Sequence, residues 1–594
     1  MRLLCLSLVL SLAERLYPVV REDDGKKIEK SDSNVEMAHI KKHDVHHHYA
    51  SSTSEDALLE EVAIGSNVQG GEDPVPNTEK DLECVDGTLE LKGTYQVHGN
   101  DVYEDKFKFH KLSGCHTVIA HDANLELFAP LVFNSTSLEF EGHLTVVAKA
   151  PMAGSCVTVW GQLMISGDFF VKDCQNQRTD NSRYANGGGI TALNMIQKRG
   201  KISIENCSSK SRGGAIYVKD SFTQEGGDMM IKHCQAESYG GGVFAWKTFT
   251  QNNGVLQVED CSAGFEGGAL RAERSFRQTG GNISLSNCKA KYGGGLSAGD
   301  FEQLGGAMRI QSCEAKGGRG GGLRMYDTFR QDGEFIVRTC SAWAGGGVYL
   351  RSDKVEQGES AIALVENCSA KEDGGGLYIS DYAEKQISLL GRLEFHNCSA
   401  GGRGGGVFIQ GTGADFMARQ MHFHHCRAKR EGGAVFAERM SQLDHVTLHH
   451  CNSGGSGAMT VYNDVTVSNL TVATDVHTQG QAIMSGGAAV VESLNCTGSG
   501  EQMCEVASST NLSVGNLWCP DGAERTSTET ARKVACSLCG NGYVRLIQAV
   551  NPQCQPCPPQ AARCTPTNLT MPAGMTVDAN NFSLELYCPN PAAC

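Results

Sequence analysis

Proline, aromatic residues and long apolar stretches are all scarce in this sequence. Of its 594 residues, 14 are proline, 7% are aromatic and 71 are glycine. Abundant glycine with so little proline excludes a collagen-like chain and a proline-rich disordered chain. No stretch reaches the ~18 consecutive apolar residues that a membrane-spanning helix requires. The sequence therefore predicts no transmembrane segment in this chain.

Basic residues are outnumbered and dispersed. Lysine and arginine number 52 against 67 acidic residues, which gives a formal net charge of −15. Because there is no basic block, nucleic acid is not an expected partner. The stretches 317–322 and 401–406, rich in glycine and arginine, recur at equivalent points of a repeat and are interpreted as turns.

Cysteine, by contrast, is plentiful. The chain has 25 cysteines, which indicates an oxidising compartment because disulfide-rich chains are rare in the cytosol. Residues 1–13 have the short cationic start, apolar run and small-residue end of a signal peptide. Residues 14–83 are polar and predict a flexible acidic arm, because they cannot bury enough apolar surface to form a core. We therefore expect a secreted or cell-surface protein.

One cysteine recurs about every 27 residues through the centre of the chain. An alternating apolar pattern precedes it, as Ile283 and Leu285 precede Cys288, and predicts a strand with one buried face. A cluster of glycines follows, which suits a tight corner with positive φ. The recurring cysteines are Cys174, Cys207, Cys234, Cys261, Cys288, Cys313, Cys340, Cys368, Cys398, Cys426 and Cys451.

This repeat predicts an all-β parallel β-helix over residues 84–500, with its best-defined turns at 169–460. Three short strands in about 27 residues, with equivalent residues in register, are typical of that solenoid. Equivalent side chains then form columns about 4.8 Å apart. We expect the cysteines to form an interior column. The Asn, Asp or His before each cysteine, including His425 and His450, is expected to stack at an inward corner.

The glycine clusters resemble a repeat of the chlamydial polymorphic membrane proteins, which pair a Gly-Gly-Ala-[Ile/Leu/Val] motif with a Phe-x-x-Asn motif. "GGAIYV" (213–218), "GGALRA" (267–272) and "GGAVFA" (432–437) match the first motif. The second is altered, because Cys288 and Cys398 stand where that family has its Asn. The resemblance implies a right-handed parallel β-helix. The family's members are autotransported adhesins, so it also implies, as an expectation only, an adhesive role.

Residues 501–594 differ from the repeats and predict a small disulfide-rich module. The "CSLCGNGY" element at 536–543 resembles cysteine-rich modules of extracellular receptors. Zinc binding by Cys536, Cys539, Cys554 and Cys557 is the alternative, because two C-x-x-C pairs can also hold zinc. The signal peptide and the glycosylation sequons favour disulfides. The cysteines of the module are Cys504, Cys519, Cys536, Cys539, Cys554, Cys557, Cys564, Cys588 and Cys594.

Two columns of the predicted solenoid carry side chains with chemistry of their own. The cysteine column is interpreted as small apolar filler, with some inter-turn disulfides as the alternative and no reactive thiol. His396, His424 and His449 should form one outward-facing stack, with Glu366 on the turn before. Such a stack can bind zinc or copper, or change charge at low pH; the alternative is a set of solvent-facing strand residues. A histidine tract at 39–48 can bind a divalent metal ion weakly, but it is interpreted as a solvated linker.

Ten Asn-x-Ser/Thr sequons occur in the chain. Asn206, Asn367 and Asn397 belong to the corner column, so we expect them to be buried and unmodified. The better acceptors in a secretory setting are Asn134, Asn469, Asn511, Asn568 and Asn581.

Long columns of exposed side chains favour a structural, adhesive or binding role over catalysis. Many β-helices process polysaccharides, but neither a Gly-His-Gly element nor a paired Asp-Asp on a strand occurs, and the repeat carboxylates are scattered. Ice binding would need regular Thr-x-Thr columns, which are also absent. We therefore expect no enzyme, no catalytic residue and no cofactor, with an extracellular protein or glycan as ligand. A pectate-lyase-like, polysaccharide-processing enzyme is the alternative.

Overall fold

A computed structural model describes most of the chain from residue 82 onward. Every regular element in the described part is a β-strand, and it contains no helix long and apolar enough to cross a membrane. The predicted signal peptide and residues 14–81 of the predicted arm, with its histidine tract, lie outside the described residues. The described residues are 82–103, 107–179, 185–352, 354–380, 386–411, 415–474, 481–498, 502–528, 532–541, 543–545, 553–557, 561, 563–570, 575–577 and 585–587.

The strands stack into a parallel β-solenoid of about 15 turns with a spacing of about 27 residues, which confirms the predicted fold class. A regular turn has four segments rather than three, because the Phe-x-Gln stretch forms its own strand. We name the four ladders by position: the pre-cysteine ladder, the post-cysteine ladder, the post-glycine ladder after the glycine cluster, and the glutamine ladder.

The pre-cysteine ladder holds the alternating strands that the sequence predicts. Met229 and Ile231 point inward and are buried, whereas Met230 between them is half-buried. The strands are Thr88–Val97, Thr117–Leu127, Ser137–Ala148, Asp168–Lys172, Lys201–Glu205, Asp228–Lys232, Val255–Glu259, Asn282–Ser286, Ala307–Gln311, Glu334–Arg338, Ile362–Glu366, Gln386–His396, Asp415–His424, Gln442–His449, Val465–Thr474, Ala489–Gly498 and Leu512–Trp518.

The post-cysteine ladder consists of two-residue strands. They are Gln175–Asn176, Ser208–Ser209, Gln235–Ala236, Ser262–Ala263, Lys289–Ala290, Glu314–Ala315, Ser341–Ala342, Ser369–Ala370, Ser399–Ala400, Arg427–Ala428 and Asn452–Ser453.

The post-glycine ladder includes longer strands where it runs on into the glutamine ladder. Its strands are Phe107–Ser113, Leu131–Asn134, Val157–Ile165, Ile190–Gln197, Ile216–Val218, Val243–Ala245, Leu270–Gln278, Leu296–Gln303, Leu323–Met325, Val348–Leu350, Leu377–Ile379, Val407–Ile409, Val435–Ala437, Met459–Val461, Ile483–Ser485 and Gln502–Ser508. Separate glutamine-ladder strands are Ser221–Gln224, Thr248–Gln251, Thr328–Gln331 and Lys354–Gln357.

Two kinds of corner close each turn. The residue before the column cysteine is left-handed, as at Asn287 with φ 54°, a conformation that Asn and Asp adopt more readily than most residues. The glycine cluster makes the second corner, where Gly267 has φ 66°. A Cβ on Gly268 would lie 2.1 Å from the carbonyl oxygen of Gly294 on the next turn. No side chain fits there, which explains the recurring glycines.

The interior is filled by columns of similar apolar residues, some of them identical over several turns. Phe222 and Phe249 stack with ring centroids 4.8 Å apart, and Phe276, Phe301 and Phe329 extend the column. Each ring lies over the next because the strands are in register. The core is therefore a set of repeated stacks along the solenoid.

The parallel stacking continues beyond the predicted boundary at residue 500. Strand Leu512–Trp518 pairs in parallel with Ala489–Gly498, and Gln502–Ser508 pairs in parallel with Ile483–Ser485. Strand Lys533–Leu538 then joins antiparallel. The remaining strands form antiparallel pairs. Asp101–Tyr103 pairs with Phe107–Ser113, and Ala523–Thr528 pairs with Lys533–Leu538. The other pairs are Tyr543–Val544 with Gln555–Pro556, Arg563–Thr565 with Asn568–Thr570, and Met575–Val577 with Glu585–Tyr587.

Candidate functional site

The structure brings together the three histidines of the predicted outward stack. Strand pairing places His396 opposite His424, and His424 opposite His449. The ring centroids lie 4.7 Å apart for the first pair and 5.0 Å apart for the second. All three side chains are half-buried. The stack therefore exists as predicted, whereas metal binding by it stays a prediction.

Glu366 lies opposite His396 on the preceding turn, as predicted, but its carboxylate is engaged elsewhere. Its Oε2 atom lies 2.9 Å from Nε of Arg338. A different carboxylate contacts the stack, because Oε2 of Glu394 lies 3.3 Å from Nε2 of His396. Its other oxygen lies 2.5 Å from Nε of Arg392. Glu394 therefore takes the place beside the histidines that the sequence assigned to Glu366.

Two imidazoles of the stack, those of His424 and His449, have a pKa lowered from its usual value. Burial lowers the pKa of His424, and the neighbouring His396 and His449 rings lower it further. Burial also lowers the pKa of His449, with His450 and His425 as further contributors. A neutral imidazole keeps one nitrogen lone pair, which is the form that binds a metal.

The corner column differs from the prediction in one respect. His425 and His450 do stack, with ring centroids 5.0 Å apart, but His425 is exposed and His450 is half-buried rather than inward-facing. The left-handed backbone at these positions, φ 55° and 52°, directs the side chain away from the interior. The ring of His450 also lies 5.6 Å from that of His449, at nearly a right angle.

The same geometry corrects the expectation for three sequons. Asn206, Asn367 and Asn397 occupy the left-handed corner position, and all three are exposed rather than buried. The predicted acceptors Asn134, Asn469 and Asn511 are exposed as well. The side chain of Asn568 and the whole of Asn581 lie outside the described residues. Glycosylation at any of these sites stays a prediction.

Ten of the eleven predicted column cysteines are free and buried. Burial raises the pKa of the Cys234 and Cys288 thiols. Burial also raises the pKa of the Cys261 thiol between them, but hydrogen bonds from Cys234 and Cys288 outweigh it and lower that pKa. Because all three are buried, none is exposed as a nucleophile. Cys174 is the exception, because it forms a disulfide with Cys156. The sequence did not reveal this pair, because Cys156 has no counterpart in the later turns. The ten free thiols are Cys207, Cys234, Cys261, Cys288, Cys313, Cys340, Cys368, Cys398, Cys426 and Cys451.

The C-terminal cysteines form disulfides, and the zinc alternative is therefore wrong. All four cysteines that would have held zinc are bonded: the pairs are Cys519–Cys536, Cys539–Cys554 and Cys557–Cys564. Cys504 pairs with Cys496 of the last solenoid turns, not within the module. Cys588 and Cys594 lie outside the described residues. A further disulfide that the sequence did not suggest joins Cys84 to Cys115.

A buried ionic cluster covers the outer side of the post-glycine ladder. Glu266 is the only acidic side chain that is buried among the described residues. One of its oxygens lies 3.2 Å from Nη1 of Arg271, and the other lies 3.4 Å from Nη1 of Arg324. The Tyr326 hydroxyl donates a hydrogen bond of 2.5 Å to the same carboxylate. Burial, and then the Glu266 charge, raise the pKa of Tyr326 well above its usual value.

This cluster is a closed set of partners rather than a reactive site. The guanidinium of Arg324 also stacks 4.1 Å from the ring centroid of Tyr292, and Ser297 donates to Glu266 at 3.2 Å. A carboxylate that already accepts from four groups is a poor general base. The cluster was missed in the sequence, although Arg271 and Arg324 stand where other turns have an aromatic or aliphatic residue.

An open groove of about 610 Å³ runs along the post-cysteine ladder from the turn of Cys368 to that of Cys451. Three cations border it, Lys371, Arg427 and Lys429, and none of them forms an ion pair with a carboxylate in the described part of the chain. The lining is Ala370, Lys371, Ser399, Ala400, Gly401, Arg427, Ala428, Lys429, Asn452, Ser453 and Gly454. We call it the basic groove.

The basic groove exists because side-chain size alternates along one column. Gly401 and Gly454 occupy the positions equivalent to Lys371 and Lys429, so the lysines flank empty space. In an earlier turn the equivalent Lys210 is neutralised by Glu237 at 2.6 Å. The groove was missed in the sequence, because an unpaired charge is visible only once the neighbouring columns are placed.

Comparison of the chain with protein-family models, with curated proteins and with solved structures finds no match in any of the three. The resemblance to the chlamydial repeats therefore stays a prediction.

Proposed function

We propose that this chain is a secreted or cell-surface protein with a structural or adhesive role, which binds an acidic polysaccharide along the basic groove. Its disulfides support an extracellular setting, because such bonds persist mainly in oxidising compartments. The observation that carries the proposal is the set of three unpaired cations, Lys371, Arg427 and Lys429, in a chain of net charge −15. Unpaired cations in a groove attract a ligand of opposite charge.

The chemistry of the lining favours a polysaccharide over a protein. Protein interfaces draw most of their affinity from buried aromatic and large anchors, whereas the groove is lined by alanine, glycine, serine, asparagine and basic residues. Ser399 and Asn452 offer hydrogen-bonding groups to sugar hydroxyls. The groove spans four turns, about 14 Å at the usual strand spacing, which suits a short run of sugar units.

A role without catalysis is supported by the state of the carboxylates. Glu266, the buried one, is bound by Arg271, Arg324 and Tyr326. Polysaccharide hydrolysis needs two carboxylates on either side of the bond that is cleaved. The basic groove has no acidic residue in its lining, so it does not support hydrolysis by a pair of carboxylates.

Binding of the full-length secreted protein to immobilised sulfated and carboxylated polysaccharides tests the proposal. We expect binding that weakens as salt is raised, because the contacts are exposed ion pairs. The triple variant Lys371→Gln, Arg427→Gln, Lys429→Gln should bind at least tenfold more weakly. Lys210→Gln is the matched control, because it removes one cation from the same column at a site that Glu237 already neutralises.

Two outcomes would overturn the proposal. If the triple variant binds like the wild type, the polysaccharide does not use the groove. If only an acidic protein and no polysaccharide is retained, the ligand class is wrong. Incubation with the bound polymer, followed by measurement of its chain length, tests the enzyme alternative, since cleavage would produce shorter chains.

A further inference from the structure

Histidine is concentrated in three consecutive turns of the pre-cysteine ladder. Three rings form the outward stack, two form the corner column, and two lie on the adjacent outward columns of the same strands. Of the chain's 19 histidines these are His396, His422, His424, His425, His445, His449 and His450. Such a concentration on one face calls for an explanation beyond strand packing.

The outward column that contains the histidine stack has a different composition in earlier turns. There, side chains of opposite charge follow one another on neighbouring turns. Lys232 pairs with Glu259 at 2.9 Å, and Arg338 pairs with Glu366 at 2.9 Å. Oppositely charged side chains on neighbouring turns attract each other, whereas like charges repel. At His396, His424 and His449 no such pairing occurs, because three identical imidazole rings follow one another.

We propose that the stack of His396, His424 and His449 binds a divalent transition-metal ion, zinc or copper. A shared metal accounts for three imidazoles on neighbouring turns, since each contributes a nitrogen ligand to the same ion. Imidazole nitrogen suits zinc and copper, and copper binds such sites more tightly. This proposal does not rest on the basic groove or on its ligand.

The second partner of the site is also present. Glu394 Oε2 lies 3.3 Å from Nε2 of His396 without forming a hydrogen bond to it. A carboxylate beside the outer nitrogen of an imidazole is a recurrent companion of metal-binding histidine. Arg392 balances the other oxygen of Glu394. Glu366 takes no part, because Arg338 already holds its carboxylate.

Metal binding requires the rings to tilt. Zinc–nitrogen bonds are ≈ 2.0–2.1 Å long, so two nitrogens on one ion lie closer together than the ring centroids, which are 4.7 and 5.0 Å apart. In the described residues, the only three ligand groups already within 4.8 Å of one another are Cys496, Cys504 and Cys536, which form disulfides. The three rings are half-buried and outward-facing, so rotation about their side-chain bonds is open to them.

Calorimetric titration of the full-length, chelator-treated protein with zinc and with copper tests the proposal. His424→Asn removes the central ring of the stack. His233→Asn is the matched control, because His233 is an exposed histidine of the same ladder's corner column, near Asp260. All three proteins keep the N-terminal histidine tract, so its binding cancels in the comparison. The wild type and the control should each bind one more equivalent than His424→Asn.

Copper electron paramagnetic resonance identifies the ligands. The spectra of the wild type and of His233→Asn should contain a nitrogen-coupled component that is absent from His424→Asn, whereas any component from the histidine tract is common to all three. Circular dichroism in chelator checks that the variant is folded; if it is not, His396→Asn replaces it. Equal stoichiometry and equal affinity in the wild type and the folded stack variant would overturn the proposal. The polysaccharide-binding experiment should also be carried out in chelator. Its result is then independent of metal binding by the stack.

Discussion

The side-chain amide of Gln251 donates a hydrogen bond of 3.0 Å to the amide oxygen of Gln224 on the preceding turn, and both side chains are fully buried. The same nitrogen also donates to the carbonyl oxygens of Gly254 and Asn282. The Phe-x-Gln stretch therefore supplies a stacking ring and a ladder of amides in one strand. Equivalent bonds join Gln224 to Gln197, Gln278 to Gln251, Gln303 to Gln278 and Gln357 to Gln331.

Removal of one amide from this ladder should be costly. Gln251→Met keeps the length of the side chain but leaves Gln224 Oε1 without its donor and Gln278 Nε2 without one of its acceptors. Each buried polar group left unpaired costs about 1–3 kcal/mol, so we expect a loss of about 2–4 kcal/mol in the free energy of unfolding. Denaturant-induced unfolding measures it. Gln235→Met, at an exposed position, should stay within about 0.5 kcal/mol of the wild type; equal effects at both sites would show that the ladder adds nothing.

Replacement of Thr339 by asparagine is expected to stabilise the folded protein. Thr339 occupies the left-handed corner position with φ 54°, a conformation that a β-branched residue adopts only under strain. Three other turns have asparagine at the equivalent position, namely Asn287, Asn367 and Asn397. Thr339→Asn should therefore raise the free energy of unfolding by about 1 kcal/mol.

The control for this substitution is the same exchange on a strand. Thr250 is a half-buried residue of strand Thr248–Gln251, where Asn is disfavoured. Thr250→Asn should lower the stability slightly. A lower midpoint of thermal unfolding for Thr339→Asn would contradict the strain argument.

The repeat made the fold and the histidine stack predictable. Because equivalent residues share a column, the spacing of His396, His424 and His449 was enough to place them side by side. The direction of the corner side chains was not predictable in the same way. It depends on a left-handed φ at the residue before the cysteine, so His425 and Asn397 point outward although their neighbours point inward.

Features that break the repeat were the ones that the sequence concealed. Cys174 has the spacing of a column residue, yet it bonds to Cys156, which has no equivalent elsewhere. In the sequence, Lys371 and Lys429 do not differ from other surface lysines. The structure shows that the residue between them in the column is Gly401, which has no side chain. In both cases the decisive fact is a neighbour contributed by a different part of the turn, which periodicity does not reveal.

The cysteine column makes a prediction about reactivity. The ten free thiols are buried, so a reagent cannot reach them and they should resist alkylation in the folded protein. Native protein is treated with one maleimide, then unfolded without reductant and treated with a second of different mass. Peptide mass mapping should find the second label on all ten. The paired cysteines, such as Cys519 and Cys536, should carry neither label. A column cysteine found with the first label, or in a disulfide, would contradict the buried-thiol interpretation.

The buried ionic cluster should be the most sensitive polar site on the outer side of the solenoid. Among the described residues, Glu266 is the only acidic residue that contacts both Arg271 and Arg324, and Glu266→Gln removes its charge. Breaking a buried ion pair from one side costs about 3–5 kcal/mol, because the remaining charge is left uncompensated. Denaturant-induced unfolding should show a loss of that size.

Glu273→Gln is the matched control for Glu266→Gln, because Glu273 also contacts Arg271, at 3.1 Å, but its side chain is 37% exposed. A partly exposed ion pair contributes about 0–1 kcal/mol, so this variant should be nearly as stable as the wild type. Together with the single variant Arg324→Met, the double variant Glu266→Gln, Arg324→Met then measures the coupling of the two residues. If that double variant is more stable than Glu266→Gln alone, the uncompensated guanidinium is the cause of the loss. If Glu266→Gln and Glu273→Gln lower the free energy of unfolding by the same small amount, Glu266 behaves as a surface ion-pair partner in solution. The buried ionic cluster then does not stabilise the outer side of the solenoid.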